Sequence, residues 1–261
     1  MSYFSNGGVI GKLLDYNTSE TYVTGNKKNS GIWNLDAVWS FKSNNAKVVW
    51  TQQLGGEGTA YTGDVQIGDV LFAFTSSSFG LYDYDGGGNP DVPGPVPDLG
   101  FYTAALFSNS NVVGFLVYKI INSTNINDAR NYYSGNTESG TLLVNVRGLE
   151  LTQLTQGAFP TFTILDTSLL AVANTGTNVD PPSVTAPQSN CVSFVFCTTR
   201  GNFSPTLSGG YSLVDNFVGI VNSEDRTITM AVKYGVTGVE DPPSFGAGSN
   251  PVSITLVLRN L

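Results

Sequence analysis

The sequence of 261 residues contains no histidine. Histidine titrates nearest neutral pH and is the commonest zinc ligand, so its absence removes the usual general base and the usual zinc site. It also removes Ser-His-Asp and Cys-His catalysis as commonly built. Charge is scarce too: 12% of residues are Asp, Glu, Lys or Arg, about half the ordinary share. Twelve are basic and 20 acidic, for a net charge of −8, and the basic residues stand singly. Without a basic stripe the chain lacks the main energy term for binding nucleic acid, and an anionic membrane surface would repel it. No apolar run approaches the ~20 residues that span a bilayer. MSYFSNGGVIGKLL, at the start, has neither a basic n-region nor a long apolar stretch, which predicts a protein made and kept in a cytosol, or released by lysis.

Cysteine is nearly absent, at two residues, Cys191 and Cys197 in NCVSFVFCTTR. If that run is a strand, six residues at ~3.3 Å each place the two Cα atoms about 20 Å apart on one face. A disulfide needs less than ~7 Å, so the expectation is two buried thiols acting as small apolar side chains. Paired carboxylates remain available to a glycoside hydrolase among the 20 acids, but they are dispersed. The composition therefore points away from an enzyme.

What the chain does have is β patterning. Apolar residues make up 41%, and the length suits one large all-β domain or two smaller ones, burying about three-quarters of the unfolded surface. Solubility falls to Asn, Ser, Thr and Gly, a surface that suits a particle component packed among neighbours and that any Asn- and Thr-rich β protein would share. AKVVWTQQ is a candidate first strand. VQIGDVLFAFTSS follows, with Val70, Phe72 and Phe74 on one face and Leu71 and Ala73 on the other. FYTAALFS and NVVGFLVYKII come next. TLLVNVRGLE then sets Leu142, Val144 and Val146 against Leu143, Asn145 and Arg147. TLSGGYSLVDNFVGIV passes through NSED into RTITMAVKYG, a strong hairpin signal. There Ile228, Met230, Val232 and Tyr234 oppose Thr227, Thr229, Ala231 and Lys233. PVSITLVLRN points Val252, Ile254, Leu256 and Leu258 inward. CVSFVFC is apolar on both faces, as a central strand covered on both sides would be. Nine or ten strands without helical crossovers predict mostly antiparallel pairing, in a β-sandwich or jelly roll over residues 46–261.

Residues 1–45 read differently. Residues 1–29 are polar and aperiodic and are expected to form an extended arm whose order depends on a partner surface. In SGIWNLDAVWSF, Ser30 or Asn34 can cap a helix and Asp36 lies in its first turn. Leu35, Val38, Trp39 and Lys42 keep 3–4 spacing. A helix of two or three turns is marginal by itself, so it must dock Trp39 and Leu35 on its own domain or on a neighbouring subunit.

Four further features bear on function. SFGLYDYDGGGNPDVPGPVPDLG carries four prolines and many glycines and is expected to be a long loop. Its Gly86-Gly87-Gly88 precedes no GK[ST] and is no phosphate cradle. Asp83 and Asp85 begin like a calcium loop, but glycine fills the third ligand position and no acid stands at the twelfth. Tyr82, Tyr84, Tyr102 and Tyr132, with Phe101 and Tyr133, are candidate stacking rings for a sugar, which makes a carbohydrate-binding module the alternative function. Last, TGTNVDPPSVTA (175–186) echoes TGVEDPPSFGAG (237–248), either two similar Pro-stiffened turns or two copies of a binding loop. No cofactor or metal site is expected.

SNGGVIG (5–11) followed by SGIWNLDAVWSF (30–41) resembles the N-terminal segment of structural proteins of tailed bacteriophages, notably marine and cyanobacterial ones. There an NGGVIG-like arm precedes an SGIWSL-like short helix. GDVLFAF, LVNVRGLE with Arg147-Gly148, DPPSVTAPQ and the terminal SITLVLRNL are also similar to virion β-sandwich domains. The resemblance implies a non-enzymatic tail or head appendage, synthesised in a bacterial cytoplasm and carried on the virion. Its partners would be other virion proteins and further copies of itself, often as a trimer, and sometimes a host-surface glycan. It also implies that Ile32, Trp33, Leu35, Val38 and Trp39 form the assembly interface.

Overall fold

The computed structural model describes residues 46–55, 59–60, 63–77, 101–109, 112–126, 131–132, 139–154, 168–173, 176–221 and 224–261. Asn45–Asn260 form one compact unit. The strands in chain order are β1 (Lys47–Gly55), β2 (Thr59–Ala60), β3 (Val70–Ser77), β4 (Tyr102–Asn109), β5 (Val112–Ile120), β6 (Asn131–Tyr132) and β7 (Ser139–Arg147), then β8 (Leu170–Ala173), β9 (Val184–Thr185), β10 (Cys191–Arg200), β11 (Ser212–Val221), β12 (Glu224–Val236), β13 (Val239–Glu240) and β14 (Ser249–Arg259). A 3₁₀ turn at Leu151–Gln153 follows β7.

Two five-stranded antiparallel sheets carry the fold, ordered β1-β7-β3-β5-β4 and β11-β12-β10-β14-β8. The protein is thus an all-β antiparallel sandwich. The chain completes the first sheet within residues 47–147 and then builds the second within 170–259. Strands do not alternate between layers, and the sandwich closes by a single passage from one sheet to the other. The expected arm and short helix over residues 1–45 lie outside the described residues.

Alternation decides which side chains meet between the layers. Val70, Phe72 and Phe74 of β3, Leu142, Val144 and Val146 of β7, and Leu116 and Tyr118 of β5 form one face. Phe194 and Phe196 of β10, Ile228 and Met230 of β12, and Ile254 and Leu256 of β14 form the other. An aromatic seam joins them. The Phe72 ring centroid lies 6.0 Å from that of Phe194 and 6.3 Å from that of Phe196, and Phe74 lies 5.5 Å from Phe196. Rings tilted at such distances gain beyond their area burial. One lateral margin is stitched by polar side chains, with Thr51 Oγ1 and Gln53 Nε2 both donating to the Asp215 carboxylate on β11, at 2.9 and 3.0 Å.

The central strands are also buried on their outer faces, while Leu213 and Val218 of β11 and Val172 of β8 are exposed. Leu71, Ala73, Val117 and Leu143 are inaccessible in a second cluster with Val65, Phe101 and Ile121. Outside the second sheet, Val195, Cys197 and Ala231 pack with Val179, Phe203, Tyr211 and Phe245, and Cys191 and Val257 with Val184, Ala186 and Val236. CVSFVFC is the central strand of its sheet, as expected, and both cysteines are free and buried. The NSED link is tighter than expected. Val221 pairs with Glu224 and Ile220 with Asp225, so Glu224 and Asp225 extend the strand and two residues make the connection.

Candidate functional site

Two polar clusters, each with a buried carboxylate, and one paired loop system are the features with chemistry. The first cluster lies on the outer face of the first sheet. Asp69 ends the turn before β3, and its side chain is 1% exposed. Arg147, at the end of β7, donates through Nε to Oδ1 at 2.7 Å and through Nη2 to Oδ2 at 2.9 Å. Asn145 Nδ2 and the Gln66 amide also donate to Oδ2, each at 2.9 Å. β3 and β7 pair with Val70 opposite Val146, which brings Asp69 to Arg147. Burial pushes the Asp69 pKa up, but the bonds from Arg147, Asn145 and Gln66 outweigh it and hold the carboxyl below its ordinary value. The Arg147 guanidinium is pushed up, chiefly by its bond to Asp69. Trp50 completes the cluster by donating from Nε1 to the Asp64 carbonyl at 2.7 Å. A Cβ at Gly63 would sit 2.2 Å from the indole, so the loop must pass this point as glycine.

The second cluster lies outside the second sheet. Tyr211 Oη lies 2.7 Å from Ser193 Oγ and donates to Glu240 Oε1 at 3.1 Å. Lys233 Nζ donates to both carboxylate oxygens of Glu240, at 3.0 and 2.9 Å, and stands 5.7 Å from the Tyr211 ring centroid. Glu240 is buried on β13. The Tyr211 hydroxyl is pushed well above the ordinary phenol range, by burial first.

Above this cluster the two DPPS segments meet. Val184 pairs with Glu240 and Thr185 with Val239. On the other side, the Val179 amide donates to the Gly246 carbonyl and the Phe245 amide to the Val179 carbonyl, each at 2.8 Å, and Asn178 bridges to Ala247. DPPS (180–183) therefore runs antiparallel to DPPS (241–244), with a local two-fold relation that places Val179 against Phe245 and Val184 against Glu240. Four prolines without N–H groups occupy the centre, so the ladder bonds fall at the two ends. The sequence echo was legible. That the copies pair with each other, rather than making two separate turns, is set by the tertiary fold.

Of the residues predicted for function, Phe101, Tyr102 and Tyr132 fall among the described residues. Ile32, Trp33, Leu35, Val38 and Trp39 lie outside the described residues, as do Tyr82 and Tyr84. Tyr132 contributes backbone to β6, where it pairs with Thr59. Tyr102 is half-buried on β4, with its ring 5.8 Å from that of Tyr118 and packed on the inter-sheet core. Sequence reasoning gave no role to Asp69 or Glu240: Asp69 stands in GDVLFAF just before β3 and Glu240 in TGVEDPPSFGAG at the end of β13, and neither segment tells which partner its acid meets. Among the described residues, no group of three or more His, Cys, Asp or Glu side chains is placed to hold a metal ion. No described helix is long and apolar enough to cross a membrane. No family model, curated protein or solved structure matches the chain.

Proposed function

We propose that the protein is a non-enzymatic structural component of a tailed-phage virion, a tail or head appendage that joins the particle through residues 1–45. The observation that carries the reading is the design of the sheet edges. β1, β4 and β11 are edge strands, and each is bulged, at Val48/Trp50, Thr103/Ala105 and Leu213/Asp215. The fourth edge, β8, has four residues. Bulged and short edges resist lateral strand addition. The central strands of both sheets are also covered on their outer faces. A body so protected meets partners through a segment outside its sheets, and the tryptophan-bearing leader is that segment. Large apolar anchors dominate many interfaces, which gives Trp33 and Trp39 their role. The particle's other proteins and further copies of the chain, in a trimer, are its partners, and a host-surface glycan is a further contact of the displayed body.

The test is a chain lacking residues 1–45, produced in infected cells beside the full-length protein. The expected result is a soluble body with an unchanged far-UV spectrum that is missing from purified particles. Incorporation of the truncated chain at the full-length level would overturn the proposal.

A further inference from the structure

We propose that the paired DPPS segments form a clasp that opens as a unit from the folded sandwich, with the Glu240–Lys233 ion pair as its latch. Three observations carry this. First, the clasp is held to itself mainly at its two ends, since the prolines at 181, 182, 242 and 243 donate no backbone bonds. Second, it is not part of either five-stranded sheet. β9 and β13 form a separate two-stranded pair on the outside of the second sheet, so lifting it breaks none of the β10, β12 and β14 ladders. Third, beside two neutral bonds to the body, from Ser253 Oγ to the Asp180 carbonyl and from the Thr206 amide to the Phe245 carbonyl, one buried charge ties it down. Glu240 is the clasp's carboxylate, its side chain 6% exposed, and it takes two bonds from Lys233 and one from Tyr211, both anchored in or beside the sheet. Removing one partner of such a pair strands the other charge.

The molecule carries its own reporters. Its two cysteines both stand on the outer face of β10, each under a different end of the clasp. Cys197 is packed in the group with Val179 and Phe245, and Cys191 in the group with Val184 and Ala186. In the closed state neither thiol is accessible. Opening uncovers both, together with the apolar outer face at Val195, Ala231 and Val257.

The experiment is maleimide labelling of the full chain, read by mass, across urea concentrations below the unfolding transition. In the wild-type protein both thiols should label through an opening with a much shallower urea dependence than global unfolding. Labelling that follows the global transition in slope and midpoint would overturn the proposal. Glu240→Gln should raise the labelling rate of both cysteines at least ten-fold in the absence of urea, while the near-UV spectrum of the core aromatics persists. Adding Lys233→Met to Glu240→Gln should return the rate most of the way, because no charge is then left unpaired. Val239→Ala, an exposed clasp position, should leave it unchanged. An unchanged rate in Glu240→Gln would equally overturn the latch. If Glu240→Gln does not fold, the wild-type urea series decides the matter.

Discussion

Asp69 shows how much a single side chain depends on residues far away in sequence. Its carboxylate is bonded by Arg147, Asn145 and the Gln66 amide. Alternation within TLLVNVRGLE makes the shared face of Asn145 and Arg147 legible. It says nothing of the acid they would meet, because that depends on β3 pairing with β7. Asp69→Asn should cost about 3 kcal/mol at neutral pH, the low end of the range for breaking a buried pair, since Arg147 keeps contact with water. The folded carboxyl lies below its unfolded value near 3.8, so the unfolded state takes up protons first as pH falls. The contribution is full above about pH 4 and is lost as pH drops through the lowered folded value. Denaturant melts of both proteins should therefore converge in strong acid; a constant gap would refute this role for Asp69. At the alkaline end the sign reverses. Burial pushes the Cys197 thiol from 9.0 to about 12 and the Tyr118 hydroxyl from 10.0 to about 12. The unfolded chain ionises first, so stability should decline steadily from about pH 9 to pH 12. A tyrosinate absorbance titration should show Tyr118 ionising only together with unfolding.

The strands differ in what marks them out. β10 was legible as a central strand because it is apolar on both faces, and the structure places it between β12 and β14. β3, β7, β12 and β14 were legible by alternation, and their inward sets meet in the core, except Tyr234 of β12, which is exposed. β8 was not legible. Four residues, Leu170–Ala173, are too few for a period, and the strand exists because Leu256 to Ser253 of β14 offer it a partner. β9 and β13 are two residues each and are strands only through each other. The same contrast predicts hydrogen exchange. Amides of β10, bonded on both sides and buried, should exchange only through global unfolding. Those of β8, at an edge, should exchange through small local openings. Equal protection in β8 and β10 would contradict this account of the second sheet.

At the scale of the whole molecule, the two sheets are consecutive in the chain yet mutually dependent. The inner faces of β3, β5 and β7 are covered by β10, β12 and β14. A fragment of residues 46–154 or 168–261 would expose a complete apolar face to water, at ~25 cal/mol per Å². Each should be aggregated or unfolded when expressed alone, and co-expression should restore the native near-UV spectrum. A fragment that gave a sharp thermal transition by itself would show two domains where we describe one.

By itself the sequence determined the class of fold, the faces of its long strands and the free state of its thiols. These follow from local periodicity and chain geometry, which act over a few residues. The tertiary structure alone decided the sheet order, the burial of the central strands on their outer faces, the Asp69 and Glu240 clusters and the pairing of DPPS with DPPS. Each of these joins segments tens of residues apart, and such partners are chosen by the packing of whole sheets, where a residue's neighbours in space carry no trace in its neighbours along the chain.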